Sequence, residues 1–126
     1  TYQPLTRGQS SLVLVSQDFM AKLAPRGIPE SKALRVTAST ALNIIYSGVG
    51  YARATFFASN AWDWAAALAI ARSLGGVAYD YDTLAPKQAW TTADFRPPPK
   101  QWAAKSYFFA CAPDDAPALK SAYPRK

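Results

Sequence analysis

A chain of 126 residues, half of them hydrophobic, is long enough to bury one core and too short for two domains of ordinary size, so a single domain over 1–126 is expected. Its longest apolar runs fall far short of the roughly 20 residues that cross a bilayer, so a soluble chain is expected. The lack of histidine excludes triad chemistry, the lone Cys111 excludes an internal disulfide and fits a reducing, cytoplasmic setting, and a net charge of +6 favours anionic partners.

Ser11 to Ser16 is a β-branched and aliphatic run between polar residues, the pattern of a strand buried on both faces. Gln17 to Ala24 follows as a short helix with Phe19, Met20 and Leu23 on one face, and Pro25, Gly27 and Pro29 force a loop. Lys32 to Val36 reads as a second strand. Thr37, Ala38 and Ser39 then lead into a helix from about Thr40 to Gly48, with hydroxyls able to cap it. Its apolar positions are Leu42, Ile45, Tyr46 and Val49, and Gly48 and Gly50 end it.

Ala54 to Phe57 is the next strand, and Ser59-Asn60 introduces the strongest helical segment, Ala61 to Ser73, which Gly75-Gly76 stops. Trp64, Leu68 and Ala71 line one face of that helix, and Asp63 lies in its first turn, where a carboxylate favours the dipole. Val77 to Asp80 is a strand. A loop-rich excursion over about 83–105 carries Pro86 and the Pro97-Pro98-Pro99 triplet, with Trp90 and Trp102 expected to fold it back onto the body. Ser106 to Ala112 closes as an apolar strand before a helix from Asp114 to Ala122. Strands alternating with helices predict an α/β fold, a mixed sheet with helices on both faces.

Taken alone, Asp63 three positions after Asn60 is a capping carboxylate more often than a ligand. The order Trp62-Asp63, small residues, an aliphatic helix, Gly75-Gly76 and a strand ending in Asp80 nevertheless resembles the second signature of the inositol monophosphatase family of magnesium-dependent phosphatases. Upstream, Arg35-Val36-Thr37-Ala38-Ser39-Thr40-Ala41-Leu42-Asn43 is similar to the family stretch in which Arg precedes a small-residue turn and an Asn-bearing helix. The resemblance is good over 11–80 and weaker beyond.

The resemblance implies the C-terminal α/β subdomain of such an enzyme, packed against an N-terminal half with the active site between them. It implies Asp63 as a Mg²⁺ ligand and Ala38, Ser39 and Thr40 beside the substrate hydroxyls. The family's other ligands, a Glu and an Asp-Pro-x-Asp-Gly-Thr loop, are nowhere in this sequence, so the metal would be shared with the missing half and the chain alone would be inactive. The family's acid shortly before Trp-Asp has no counterpart in Thr55 to Ala61, and its Glu-Ala-Gly-Gly is Ser73-Leu74-Gly75-Gly76 here. The implied substrate class is accordingly broad: phosphate monoesters of inositol, sugars or related polyols.

Two other readings stand beside a phosphatase half. One is a non-catalytic α/β interaction module, consistent with the missing ligands. The other is a basic nucleic-acid binder, for which Lys and Arg among aromatics in Lys87 to Lys105 speak but no binding motif does. An apolar face left by a missing half would favour self-association.

Overall fold

The computed structural model describes residues 12–21, 34–112 and 115–124. Along the chain run β1 (Val13–Val15), α1 (Gln17–Met20), β2 (Leu34–Val36), α2 (Thr40–Val49), β3 (Ala54–Phe57), α3 (Ala61–Ser73), β4 (Val77–Asp80), a 3₁₀ turn (Thr92–Asp94), β5 (Phe108–Cys111) and α4 (Ala116–Ala122). The expected strand residues Ser11, Lys32 and Ala33, the helix positions Leu23, Ala24 and Asp114, and the Pro25–Pro29 loop lie outside the described residues.

The strands form one five-stranded sheet in the order β2-β1-β3-β5-β4. β1 pairs in parallel with β2 and β3, whereas β5 runs antiparallel to both β3 and β4, giving the expected mixed sheet. Alternation along the strands supplies a core to each face. Val13, Val15, Ala54, Phe56, Phe109 and Cys111 point to one side, where Phe19 of α1 and Ala116 and Leu119 of α4 cover them. Phe57, Ala78, Phe108 and Ala110 point to the other, where α2 and α3 cover them through Ile44, Trp64, Ala67, Leu68 and Ala71. Cys111 is buried in the first of these cores, as its apolar run implies.

The inward face of α2 differs from the one expected. Asn43, Ile44, Ser47 and Gly48 are buried, whereas Leu42 and Tyr46 are 44% and 39% exposed. Close packing on α3 explains this choice: a Cβ on Gly48 would stand 2.7 Å from the Ala71 Cα, so only glycine lets the two helices approach this closely. The polar members of the face are satisfied. Ser47 Oγ donates to the Ala110 carbonyl at 3.0 Å, and Asn43 Oδ1 accepts from Thr37 Oγ1 at 2.5 Å. Gly48 therefore lies inside the helix, and Gly50, left-handed at φ 90°, ends it by returning its N–H to the Ser47 carbonyl.

The first and last helices are held from the edges. Arg53, just before β3, makes a two-pronged ion pair with Asp115 at 2.8 and 2.7 Å, which anchors the start of α4. The hydrogen bond to Asp115, followed by the electrostatic effect of that carboxylate, raises the Arg53 pKa against the opposing pull of burial. Tyr81 adds a second tie, its hydroxyl donating to the Tyr123 carbonyl at 2.7 Å.

The excursion is ordered by local pairing. Phe95 bridges Ala104 in antiparallel fashion, with Arg96 N–H donating to Ala103 O and Lys105 N–H to Asp94 O. Asp94 closes a capping box with Thr91 and pairs with Lys87 Nζ at 2.6 Å. Burial alone would raise the Asp94 pKa. The hydrogen bonds from Lys87 and the Thr91 N–H, with the charges of Lys87 and Lys105, outweigh burial and hold it below the ordinary carboxylate range. Trp90 does fold back, its ring 5.1 Å from Trp64 and 5.6 Å from Phe108. Trp102 does so only through its backbone, whose carbonyl accepts from Ala61 N–H while the side chain is 55% exposed.

Candidate functional site

A cleft of about 830 Å³ opens where β1, β2 and β3 end and β5 begins. The sheet dictates this position. Parallel strands deliver all their following loops to one edge, and where the chain passes from β1 outward to β2 and then back across to β3, those loops diverge and leave a crevice. Ser16 follows β1, Val36 and Thr37 close β2, Ala58 and Ser59 follow β3, and Tyr107 precedes β5; all line the cleft. The excursion closes its far side with Arg96, Ala104 and Lys105.

The lining is rich in hydrogen-bond donors and carries positive charge. Ser16 Oγ accepts from Phe19 N–H at 3.2 Å, which leaves its own proton to donate. Thr37 has committed its proton to Asn43. Ser59 Oγ is buried without a hydrogen-bond partner among the described residues. Among the described residues Arg96 and Lys105 are the charged side chains of the lining, and no carboxylate stands among them.

Of the turn singled out in the sequence, Ala38 and Thr40 line the cleft, joined by Thr37. Ser39 does not: it is the N-cap of α2, its Oγ accepting from Leu42 N–H at 3.2 Å. Asp63 lies half-buried in the first turn of α3, one turn beyond the lining residue Ser59. It caps nothing with its side chain, and neither does Asn60; among the described residues the Asp63 carboxylate makes no hydrogen bond or ion pair. Asp80, by contrast, is spent on the turn that follows β4, where its Oδ1 accepts from Asp82 and Thr83 N–H at 2.9 Å each.

A magnesium ion needs about six oxygen ligands in near-octahedral array. Among the described residues no three acidic, histidine or cysteine side chains gather to hold a metal ion. Asp63 alone does not fit such a site, and the cleft beside it has a lining suited to an anion. The cations Arg96 and Lys105 were not singled out in the sequence as site residues. The signals that touch them are the Lys and Arg among aromatics in Lys87 to Lys105, and the Thr91-x-x-Asp94 capping box, which marks the excursion as folded rather than slack.

No known family model and no curated protein matches the sequence. Solved structures do match it in fold. Inositol monophosphatase II from Staphylococcus aureus superposes with a TM-score of 0.61 at 16% identity, over 96% of this chain and 44% of that one. Inositol monophosphatase from Anabaena gives 0.61 at 16% identity, over 95% of this chain and 48% of that one. SaIMPase-II bound to inositol monophosphate gives 0.60 at 16%, covering 96% and 45%. The chain thus has the fold of part of an inositol monophosphatase and spans less than half the length of these neighbours.

Proposed function

We propose that this chain is the C-terminal half of a magnesium-dependent phosphatase acting on phosphate monoesters of inositol, sugars or related polyols. The observation that carries the reading is the donor-lined cleft at the carboxyl ends of the parallel strands, in a fold whose solved counterpart holds inositol monophosphate. Asp63 contributes one metal ligand beside that cleft, and the remaining ligands come from outside this chain, either from another part of the same gene product or from a second polypeptide. The unspent Asp63 carboxylate supports this role, because a merely capping acid would be engaged with the first turn of α3. Ala38 and Thr40 contact the substrate, and Ser39 shapes the turn that presents them.

Fold likeness alone does not assign chemistry, so activity is the deciding measurement. Native mass of the purified protein establishes whether a second polypeptide accompanies it, and phosphate release from inositol monophosphate is then followed with Mg²⁺ and with a chelator. Turnover that needs Mg²⁺ and falls at least about 100-fold in Asp63→Asn is expected, since one lost electrostatic contact at a reacting phosphoryl group has that scale. Magnesium-dependent turnover that Asp63→Asn leaves intact removes Asp63 from the site, and no turnover in any assembly removes the phosphatase. A second reading is a non-catalytic binding module. The cleft lining, which among the described residues carries cations and hydroxyls and no carboxylate, favours it.

A further inference from the structure

The cleft's charges point to a ligand held without a metal. We propose that it binds the phosphate group of a monoester directly, through Arg96 and Lys105, with no divalent cation between protein and ligand. The inference takes only the ligand class from the phosphatase reading and stands or falls separately from turnover.

The excursion builds the cationic pair. Antiparallel pairing sets Phe95 against Ala104, Arg96 against Ala103 and Asp94 against Lys105. Side chains alternate across such a ribbon, so Phe95 and Ala104 face the body while Arg96 and Lys105 share the other side as diagonal neighbours. Phe95 and Ala104 do reach the core, against Trp64 and its neighbours, which fixes the ribbon's orientation. The Asp94 carboxylate shares the field of Lys105 but is itself closed by Lys87 and the Thr91 N–H. The Arg96 side chain makes no hydrogen bond or ion pair among the described residues, and its fork of N–H donors matches two phosphate oxygens at once.

The rest of the lining completes an anion's needs. Ser16 has a proton to donate, and Ser59 has a buried hydroxyl with no partner among the described residues, a deficit that a bound polar ligand relieves. Phe19 and Val36 supply apolar surface to the cleft beside these polar groups. A metal-bridged phosphate would instead need carboxylates on the protein side of the ion, and the lining contributes none among the described residues. The net charge of +6 draws anions toward the molecule as a whole.

Calorimetric titration of the purified protein with inorganic phosphate and with inositol monophosphate, in chelator and again in Mg²⁺, tests this. Equal affinity in the two buffers, no binding of unphosphorylated inositol, and a loss of tenfold or more in each of Arg96→Gln and Lys105→Gln are expected. Both side chains are exposed, so thermal unfolding of these variants checks that the fold persists. Arg96→Lys, which keeps the charge and loses the fork, is expected to fall between wild type and Arg96→Gln. Binding that appears only with Mg²⁺, binding indifferent to both substitutions, or uptake of single-stranded oligonucleotide with none of the monoester overturns the proposal. Chelator-resistant binding without hydrolysis upholds it while the phosphatase reading falls.

Discussion

The seam between α2 and α3 and the cleft at the ends of the strands lie one helical turn apart and follow opposite rules. Thr40 and Ser59 stand at the cleft, and a turn further on Ile44 and Trp64 are sealed in the core. In the seam, shape decides: Gly48 meets Ala71 at a distance no side chain would permit, and every polar group on the inner face of α2 finds a partner. In the cleft the same chain leaves a serine hydroxyl unpartnered among the described residues and brings two cations to one lining. Such a surface is poorly made for stability alone, which is why it reads as a place for a ligand.

Substitutions sharpen that contrast. The largest effect is expected for Trp64→Ala, which removes the ring joining Phe57, Trp90 and Phe95; denaturant unfolding should show a loss of about 3–5 kcal/mol. Gly48→Ala is next. Helix propensity would gain up to about 1 kcal/mol, but forcing a methyl against the Ala71 backbone costs about 1–3 kcal/mol, so a net loss is expected in the same measurement. A neutral or stabilised variant would show that the two helices can part at no expense, and the contrast would fail on the seam's side.

Thr55 is the exception inside the core, fully buried with its hydroxyl unpartnered among the described residues. Thr55→Val keeps the shape and removes the stranded group, so a gain of about 1 kcal/mol is expected. The smallest effect concerns the excursion. Asp94 has its pKa depressed on folding, so its stabilising contribution is complete above the unfolded value of about 3.9 and is lost as pH falls through the folded value. Asp94→Asn should therefore lower stability by about 1 kcal/mol or less at pH 7, a difference that shrinks toward zero in acid. A difference independent of pH would mean that the capping geometry, not the charge, holds the cleft's far wall.

Much of the fold was legible because its signals are local. β-branched runs, a diglycine stop and hydroxyl caps bound β1, α2, β3 and α3 to within a few residues. The inner face of α2 was not legible, since Leu42 and Tyr46 outrank Asn43, Ser47 and Gly48 in any hydropathy pattern, and only the neighbouring helix reveals that small size matters more there. The cleft was half legible. Ala38 and Thr40, in the turn singled out in the sequence, border it, whereas Arg96 and Lys105 are brought to it by a pairing between 94–96 and 103–105 that has no periodic trace in sequence.

The strand order carries a consequence for synthesis. Of the described strands β5 is the last to leave the ribosome, yet it lies between β3 and β4, and it is the strand on which β4 relies for its place in the sheet. Until Phe108–Cys111 has emerged, a nascent chain holds three strands in register and a fourth paired only on its outer side, through Asp80 N–H to Ala85 O and Lys87 N–H to Ala78 O, with the edge meant for β5 open to water. The sheet is thus completed from its middle by a strand made after its neighbours, and a ribosome-bound chain cut short before Phe108 should be the form most prone to wrong pairing.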